Sequence, residues 1–472
     1  MESETECCSS SESNHQHRGS FTGKVGFVLA AAGSAVGLGN LWRFPYLADK
    51  YGGGAFLMTY VVLMIVFGIA LMATEIAIGR KTGKSCIDAF RDVSEKHAYI
   101  GWLAAIVPII ITPYYCVIGG WVMKYFFEFA IGTEIGAANS GAFFGDFMSC
   151  GMDGVLGSPV TWFLIFSVLA VLVVAFGVEK GIEKVSKYLM PVLFILMIGI
   201  CIYTLFLPAG VNGTVVDGLK HYLIPNLSDF KPETILGAVG QLFYSMSLAM
   251  GIMITYGSYM KKEVSITKSA TQIACIDTGV AFMAGMMIIP PMFMMGAGVG
   301  SGPGLMFISL PVVFEAMPGG QIVGALVYFL VILAALTSAI SLAETVASMF
   351  HDRLHWNRKT SSITVMAIIL GLGILSCLGY GPLSMVDIAG MKFLDIFDAL
   401  SNNILMPIVA ILTCLFVGYV VKPKFIMDEF EECGHVFKYK SAYEYLIKFV
   451  CPIILVVVLI TGLLATFGIW KI

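Results

Sequence analysis

Residues 27–45 read FVLAAAGSAVGLGNLWRFP, an apolar stretch with three glycines between positions 33 and 39. With its flanking residues it is long enough to cross the roughly 30 Å hydrocarbon layer of a bilayer as a helix. Glycine costs about 1 kcal/mol in a helix interior relative to alanine, so this helix is weakest near its centre. A second apolar stretch, near 234–260, contains a comparable run of small and polar residues, SMSLAMG at 245–251. Close helix packing also explains small residues, so at this stage both a break and a packing site remain open.

The composition of the chain is that of a membrane protein. Of its 472 residues, 58% are hydrophobic and 12% are charged, against about 25% charged residues in soluble proteins. The net charge of −3 provides no basic face for nucleic acid. We therefore predict an all-α polytopic membrane protein with about eleven transmembrane helices, near 24–48, 54–79, 99–130, 161–177, 185–207, 234–260, 267–297, 320–350, 361–380, 395–421 and 444–469.

The distribution of basic residues predicts the orientation in the cell (plasma) membrane. Arg80, Lys81 and Lys84 follow the second predicted helix, whereas the loop at 131–160 has no Lys or Arg. Because Lys and Arg accumulate in cytoplasmic loops, the N-terminus is expected inside and the C-terminus outside. Residues 1–20 are polar and serine-rich, lack the apolar core of a signal peptide and are expected to form a disordered cytoplasmic tail.

The two interrupted stretches are the first and the sixth predicted helices. These are corresponding positions if helices 1–5 and 6–10 form two inverted halves, and paired interruptions of this kind indicate a transporter with a site at the bilayer midplane. We expect a first repeat over 21–210, a second repeat over 234–421 and a final helix at 444–469.

Several motifs together resemble the neurotransmitter:sodium symporter family. They are the stretch quoted above, the GGGAF at 52–56, the ITYGSY at 254–259, the LTS at 336–338 and the LDIFD at 394–398. The resemblance covers roughly residues 18–420 and implies a sodium-coupled amino-acid carrier that works by alternating access. The twelfth helix of many members is absent, as in prokaryotic-type members with eleven helices. Motifs of hydrolases, metalloproteases and nucleotide-binding enzymes are missing, so the chain is not expected to be an enzyme.

The resemblance implies two sodium sites built from oxygen ligands. The first would use Asn40, Ser245, Asp277 and the carbonyl of Ala35, together with the substrate's own carboxylate. The second would use the hydroxyls of Thr337 and Ser338 with the carbonyls of Gly33, Val36 and Ala334. From the residues alone, Thr337 and Ser338 could instead bond back to their own helix, as Ser and Thr commonly do.

Asp277 is a charged residue in the middle of the seventh predicted helix, where an isolated charge costs several kcal/mol. Many relatives have a neutral Asn there, and chloride-dependent relatives bind their anion nearby through Tyr, Gln and Ser side chains. Tyr60, Gln241 and Ser245 match that set, but the expected serine of the seventh helix is Ala281. We expect the Asp277 carboxylate to replace the anion, so that no bound chloride is required.

The resemblance also implies a substrate site at the two interruptions. Its expected residues are Ser34, Ala35, Leu38, Gly39, Ile111, Tyr115, Tyr244, Ser245, Ser247, Met250, Ser338 and Leu342. Gly37 stands where monoamine carriers have an Asp, which leaves room for a substrate carboxylate and favours an amino acid. Because no charge faces the expected side-chain pocket, the substrate is predicted to be apolar or aromatic. Pro113 departs from the family pattern and could kink the third helix and displace Tyr115.

Gates on both sides of the site are implied as well. Arg43 and Asp398 match the family's outer ion pair, while Arg18, Asp352 and Tyr259 match its inner gate. Individually, Arg18 and Asp352 are equally compatible with ordinary loop charges. Glu75 is expected to accept hydrogen bonds from amide groups that the helix interruptions set free.

Two other functions remain open at the level of sequence. A proton-coupled amino-acid transporter of the same architecture would follow a pH gradient without sodium, and an amino-acid-sensing membrane receptor would bind without accumulation. The sequence does not identify the amino acid, the sodium stoichiometry, any proton countertransport, the oligomeric state or the role of residues 427–443.

Overall fold

The computed structural model of the chain describes residues 19–296, 302–387 and 390–466, and these are predominantly helical. Arg18 and nearly all of the predicted tail therefore lie outside the described residues. Apart from short 3-10 turns, the helices are α1 Lys24–Ala35, α2 Gly39–Lys50, α3 Gly54–Thr82, α4 Cys86–Val93, α5 Glu95–Ile131, α6 Ser140–Met148, α7 Pro159–Ala175, α8 Val178–Leu205, α9 Val215–Leu223, α10 Pro232–Ser245, α11 Ile252–Gly257, α12 Ile266–Met295, α13 Leu305–Ala316, α14 Gly320–Leu354, α15 Arg358–Leu378, α16 Phe393–Val420, α17 Lys424–Phe430 and α18 Lys440–Thr466.

Most of the predicted transmembrane stretches are single long helices. Within the described ranges, 8 helices are long and apolar enough to cross a bilayer, and α1 with α2 makes a ninth span that is bent by 53°. Two further predicted stretches correspond to shorter helices, α7 with 17 residues and the pair α10 and α11 with 14 and 6 residues. The all-α membrane architecture is thus confirmed, whereas the count of eleven spans and the two inverted repeats remain predictions.

Both predicted interruptions are breaks in the helices. The first separates Ala35 from Gly39, and the second separates Ser245 from Ile252. In the second break the backbone is left-handed at Ser247, Ala249 and Gly251, with φ of 53°, 60° and 72°. A left-handed conformation costs a residue other than glycine roughly 1–2 kcal/mol, so the surrounding structure must hold this segment.

Glu75 is one of the residues that hold the second break. Its Oε1 accepts the N–H of Ala249 at 2.7 Å, and the side chain is buried within α3. The carboxylate satisfies an amide that the broken helix leaves without a helical partner. The prediction that Glu75 binds amides freed by unwinding is confirmed for the sixth predicted helix.

The broken helices lie in the interior of the bundle. α1 packs against α8, α12 and α14, and α11 packs against α3. The buried face of α1 is formed largely by glycine, alanine and serine, and small side chains allow helices to approach closely in a membrane. The breaks are therefore enclosed by protein on several sides, where their unpaired backbone groups can find partners other than lipid.

Residues 427–443, whose role the sequence left open, are docked onto the end of α3. Arg80 of α3 is buried and pairs with Glu429 at 2.6 Å, and it also donates to the carbonyl of Val264 at 2.7 Å. The rings of Phe430 and Phe437 lie 5.0 Å apart, centroid to centroid. This segment fixes the loop before α12 to the end of α3.

Candidate functional site

A cavity lies between the two helix breaks. It brings together 11 of the 12 residues that were predicted to bind substrate, and Ser245 is the one that does not line it. Gly37 and Ile252 line it in addition. Ile252 could have been anticipated, because it follows the second break directly. The lining residues are Ser34, Ala35, Gly37, Leu38, Gly39, Ile111, Tyr115, Tyr244, Ser247, Met250, Ile252, Ser338 and Leu342.

One end of the cavity is polar and is organised around Gly37. The N–H of Leu38 donates to the Tyr115 hydroxyl at 3.2 Å, so the unbroken course of α5 through Pro113 leaves Tyr115 in contact with the break. A Cβ atom at position 37 would lie 2.7 Å from both the Tyr115 hydroxyl and the Ser338 Oγ. Only glycine fits between these two hydroxyl groups.

Two serines connect the breaks directly. The Ser247 hydroxyl donates to the carbonyl of Ser34 at 3.1 Å, and the two hydroxyl oxygens lie 3.3 Å apart. Both residues are buried. Their contact replaces hydrogen bonds that the continuous helices would have made. The two breaks therefore form one polar site and not two independent ones.

Asp277 lies beside this cavity with 0% of its surface exposed. Its carboxylate accepts hydrogen bonds from Asn40 Nδ2 at 2.7 Å and from Ser245 Oγ at 2.9 and 3.0 Å. Tyr60 OH is a further donor, at 3.3 Å, and Asn40 Oδ1 accepts the N–H of Gly37 at 3.0 Å. These partners are neutral. The cluster therefore places a buried carboxylate next to amide and hydroxyl oxygens, a set that suits a hard cation such as sodium.

The residues that resemble a chloride site are hydrogen-bonded to groups of the protein itself. Tyr60 and Ser245 both donate to Asp277. Gln241 Nε2 donates to the carbonyl of Gly39 at 2.9 Å, and Ala281 has no side-chain donor. A chloride ion at this position would have to compete with the resident Asp277 carboxylate.

A second group of oxygens surrounds Ser338 and Thr337 on α14. The Ser338 hydroxyl lies 3.1 Å from the carbonyl of Val36 and 3.4 Å from that of Gly33. The Thr337 hydroxyl donates to the carbonyl of Ala334 at 3.0 Å. Thus Thr337 does bond back to its own helix, whereas Ser338 reaches across to the first break. These contacts include one oxygen atom from each of the five residues predicted to bind the second sodium ion.

The predicted outer pair, Arg43 and Asp398, is not in direct contact within the described residues. The Arg43 guanidinium lies 5.4 Å from the centroid of the Tyr244 ring. Asp398 accepts hydrogen bonds from Asn402 at 2.6 Å and from the Tyr114 hydroxyl at 3.2 Å. A wider vestibule lies beside Arg43 and Tyr244. The ion pair expected from the sequence is therefore open in this structure.

The opposite side of the cavity is closed by the segment before α1. The N–H of Phe21 donates to the carbonyl of Tyr259 at 3.1 Å, and the ring of Phe21 lies 5.6 Å from that of Tyr256. Asp352 accepts the N–H of Ser85 at 2.7 Å. Its predicted partner Arg18 lies outside the described residues, so that part of the inner gate stays a prediction.

A buried ion pair near Tyr259 was missed at the sequence level. Glu344 of α14 is fully buried, accepts a hydrogen bond from the Tyr259 hydroxyl at 2.7 Å and pairs with Arg358 at 2.9 Å. The signal in the sequence was a lone carboxylate within an apolar stretch, which normally marks a function or a buried partner. Glu344 extends the inner closure from Tyr259, just after α11, to α14 and α15.

Comparisons with known proteins agree with this geometry. A sequence model described as the sodium:neurotransmitter symporter family matches residues 18–136 and 148–468. The uncharacterized sodium-dependent transporter YhdH of Bacillus subtilis is 38% identical over 447 residues, which cover 92% of this chain and 95% of the relative. The human sodium- and chloride-dependent GABA transporter 2 is 27% identical over 88% of this chain and 75% of its own length. Among solved structures, MhsT in complex with L-phenylalanine has a TM-score of 0.83 and 33% identity, covering 94% of this chain and 100% of the other.

Proposed function

This chain belongs to the sodium:neurotransmitter symporter family of sodium-dependent membrane transporters, and we propose that it is a chloride-independent symporter of a neutral apolar or aromatic amino acid. The coupling ion of the family is sodium, and the family consists of transporters, not enzymes. The observation that carries the proposal is the buried Asp277 carboxylate, which has neutral hydrogen-bond donors and adjoins a cavity between two helix breaks.

Sodium binding at the first site is supported by the charge balance around Asp277. A buried carboxylate without a cationic partner is costly, and sodium would supply the missing positive charge. Asn40, Ser245 and the carbonyl of Ala35 would complete the site with the carboxylate of the substrate. Substrate and sodium would then contact each other, so that each raises the affinity for the other.

The second sodium would bind among Gly33, Val36, Ala334, Thr337 and Ser338. The support is that Ser338 bridges α14 to the first break at 3.1 Å. A cation that contacts both elements would favour the conformation in which they lie together. This would link ion binding to the position of α1.

The proposed substrate class follows from the lining of the cavity. Gly37, Leu38 and Tyr115 offer a polar end without a charged side chain, which suits a carboxylate, and the restarting helix α2 adds a positive dipole end. Ile111, Met250, Ile252 and Leu342 make the remainder apolar. The relative solved with L-phenylalanine supports an aromatic side chain for this cavity.

Alternating access would proceed between an outer and an inner closure. Arg43 and Asp398 would pair when the outer side closes, and the contacts of Phe21, Tyr259 and Asp352 would open on the cytoplasmic side. We place the N-terminus in the cytoplasm and the C-terminus outside, because the basic loops at 80–96 and 261–268 lie on the same side as Phe21 and Tyr259.

Calorimetric titration of the purified protein tests the site directly. L-phenylalanine should bind in sodium chloride and in sodium gluconate with similar affinity, and no binding should be detected in choline chloride. Binding in choline that depends on pH would favour the proton-coupled alternative. Loss of binding in sodium gluconate would refute chloride independence while leaving sodium coupling intact.

A further inference from the structure

Helix α1 begins without a cap from its own sequence. The residue at its N-cap is Gly23, which has no side chain, and the first N–H groups of a helix have no partner within it. Glu183, in the second turn of α8, places a carboxylate against Thr22, the residue just before this N-cap. Its Oε2 accepts the N–H of Thr22 at 2.8 Å, and its Oε1 accepts a hydrogen bond from the Thr22 hydroxyl. A carboxylate is also the group that the helix dipole favours at this end.

The packing around Glu183 is adapted to this contact. Only 1% of the Glu183 surface is exposed. A Cβ atom at position 26 would lie 2.1 Å from Oε1 and 2.3 Å from the carboxylate carbon, so Gly26 is what allows α1 to approach. Lys187 pairs with Oε1 at 2.6 Å and has 40% of its side chain exposed. The carboxylate is therefore shared between a half-exposed lysine and the start of α1.

Thr22 is held from a second direction as well. Lys261, in the loop after α11, donates to the carbonyl of Thr22 at 3.2 Å, and the neighbouring Phe21 binds the carbonyl of Tyr259. For the cavity to open on this side, α1 has to move away from α8 and α11. The Thr22–Glu183 contacts would then break, and Glu183 would keep only Lys187 as a partner.

We propose that Glu183 is a positioning residue of the inner gate, which holds α1 in the closed position by accepting hydrogen bonds from Thr22 just before the helix. This inference rests on the proposed alternating-access function. Glu183 touches neither the cavity nor either proposed sodium site. Its removal should therefore shift the balance between closed and open inner gates without altering the binding site itself.

The accessibility of a cysteine at position 256 measures this balance. Tyr256 is fully buried and its ring lies 5.6 Å from that of Phe21, so a Tyr256→Cys thiol is covered while the gate is closed. In a background whose eleven native cysteines are replaced, Glu183→Gln should increase the rate of thiol labelling in proteoliposomes roughly ten-fold, the factor expected for losing one hydrogen bond to a charged group. More sodium should also be needed to protect the thiol.

Glu179→Gln is the matched control, because Glu179 carries the same charge one turn earlier on the same helix but is exposed. It should leave the labelling rate unchanged, and equal rates for Glu183→Gln and Glu179→Gln would overturn the proposal. If Glu183→Gln does not fold, Thr22→Val is the second variant, because it removes the hydroxyl donor from an exposed position. It should still speed labelling, and an unchanged rate would count equally against the role of Glu183.

Sodium-dependent phenylalanine uptake by the unsubstituted protein, measured in parallel, separates failure of the proposed function from failure of the gate proposal. Absence of uptake would refute the proposed function. Uptake together with unchanged labelling would refute only the role of Glu183.

Discussion

At the scale of single residues, Gly37 leaves the space that two hydroxyl groups occupy at the polar end of the cavity. A methyl group there would lie 2.7 Å from two hydroxyl oxygens, a distance that forces Tyr115 or Ser338 to move. We expect Gly37→Ala to weaken phenylalanine binding at least about ten-fold, because the hydroxyls would leave the positions that contact the substrate. Calorimetric titration in sodium chloride measures the change.

Gly279→Ala is a suitable control for that substitution. It lies within α12, and a Cβ atom at this position has open space around it. Since alanine favours a helix interior over glycine, the variant should bind phenylalanine normally. Equal affinities for Gly37→Ala and Gly279→Ala would show that position 37 does not contact the site.

The proposal that the protein needs no anion from solution depends on Asp277. Asp277→Asn keeps the size of the side chain but removes the buried charge that would balance the proposed sodium ion. We expect uptake by Asp277→Asn to fall by more than about ten-fold and the remainder to increase with chloride, whose donors would be Tyr60, Gln241 and Ser245. Uptake in chloride and in gluconate is compared for both proteins. Wild-type uptake that requires chloride would contradict this assignment.

At the scale of elements, the second helix break depends on Glu75. Glu75→Ala should lower the free energy of unfolding by about 1–3 kcal/mol, because the N–H of Ala249 would be buried without an acceptor. Glu75→Gln retains an oxygen acceptor and should cost less. Thermal unfolding in detergent ranks the two variants. If Glu75→Gln is as damaging as Glu75→Ala, the charge of Glu75 and not its hydrogen bond stabilises the break.

A second prediction about a single element concerns α9, a short helix within the segment before α10. His221 Nε2 lies 2.9 Å from Asp49 Oδ1 at the end of α2, and this hydrogen bond raises the pKa of His221 above its usual value. A group whose pKa is raised by folding stabilises the protein at pH values below its pKa in the unfolded chain, about 6.5. This contribution is lost as the pH rises past its pKa in the folded protein. The melting temperature should therefore fall as the pH rises above about 6.5. The change should be small because the His221–Asp49 pair is partly exposed. His221→Gln should flatten this dependence, and an identical pH profile for both proteins would exclude the contact as its source.

At the scale of the whole molecule, the apolar stretches and the two glycine- and serine-rich interruptions were enough to predict the helices and the position of the breaks. The reason is that span length and backbone weakness are local properties of the sequence. The residues at the cavity were predicted through the family resemblance, since the long-range contacts of Ser34 with Ser247, or of Asn40 with Asp277, have no local signal.

What the sequence could not provide were contacts between distant segments. Glu183 and Gly26 show no pattern that relates them, yet they pack against each other at the start of α1. The Glu344–Arg358 and Arg80–Glu429 pairs join residues that are 14 and 349 positions apart. The separation of Arg43 from Asp398 likewise has no signal in the sequence, whose family resemblance predicts them as a pair.

Uptake by proteoliposomes tests the central claim most directly. The full chain is reconstituted, and uptake of labelled L-phenylalanine is measured under an inward gradient of sodium or of choline, with unlabelled lysine, glutamate, leucine and tryptophan as competitors. We predict accumulation above the external concentration with sodium only, and competition by leucine and tryptophan but not by lysine or glutamate. Equal uptake in sodium and in choline, or sodium-dependent binding without accumulation, would contradict sodium-coupled symport.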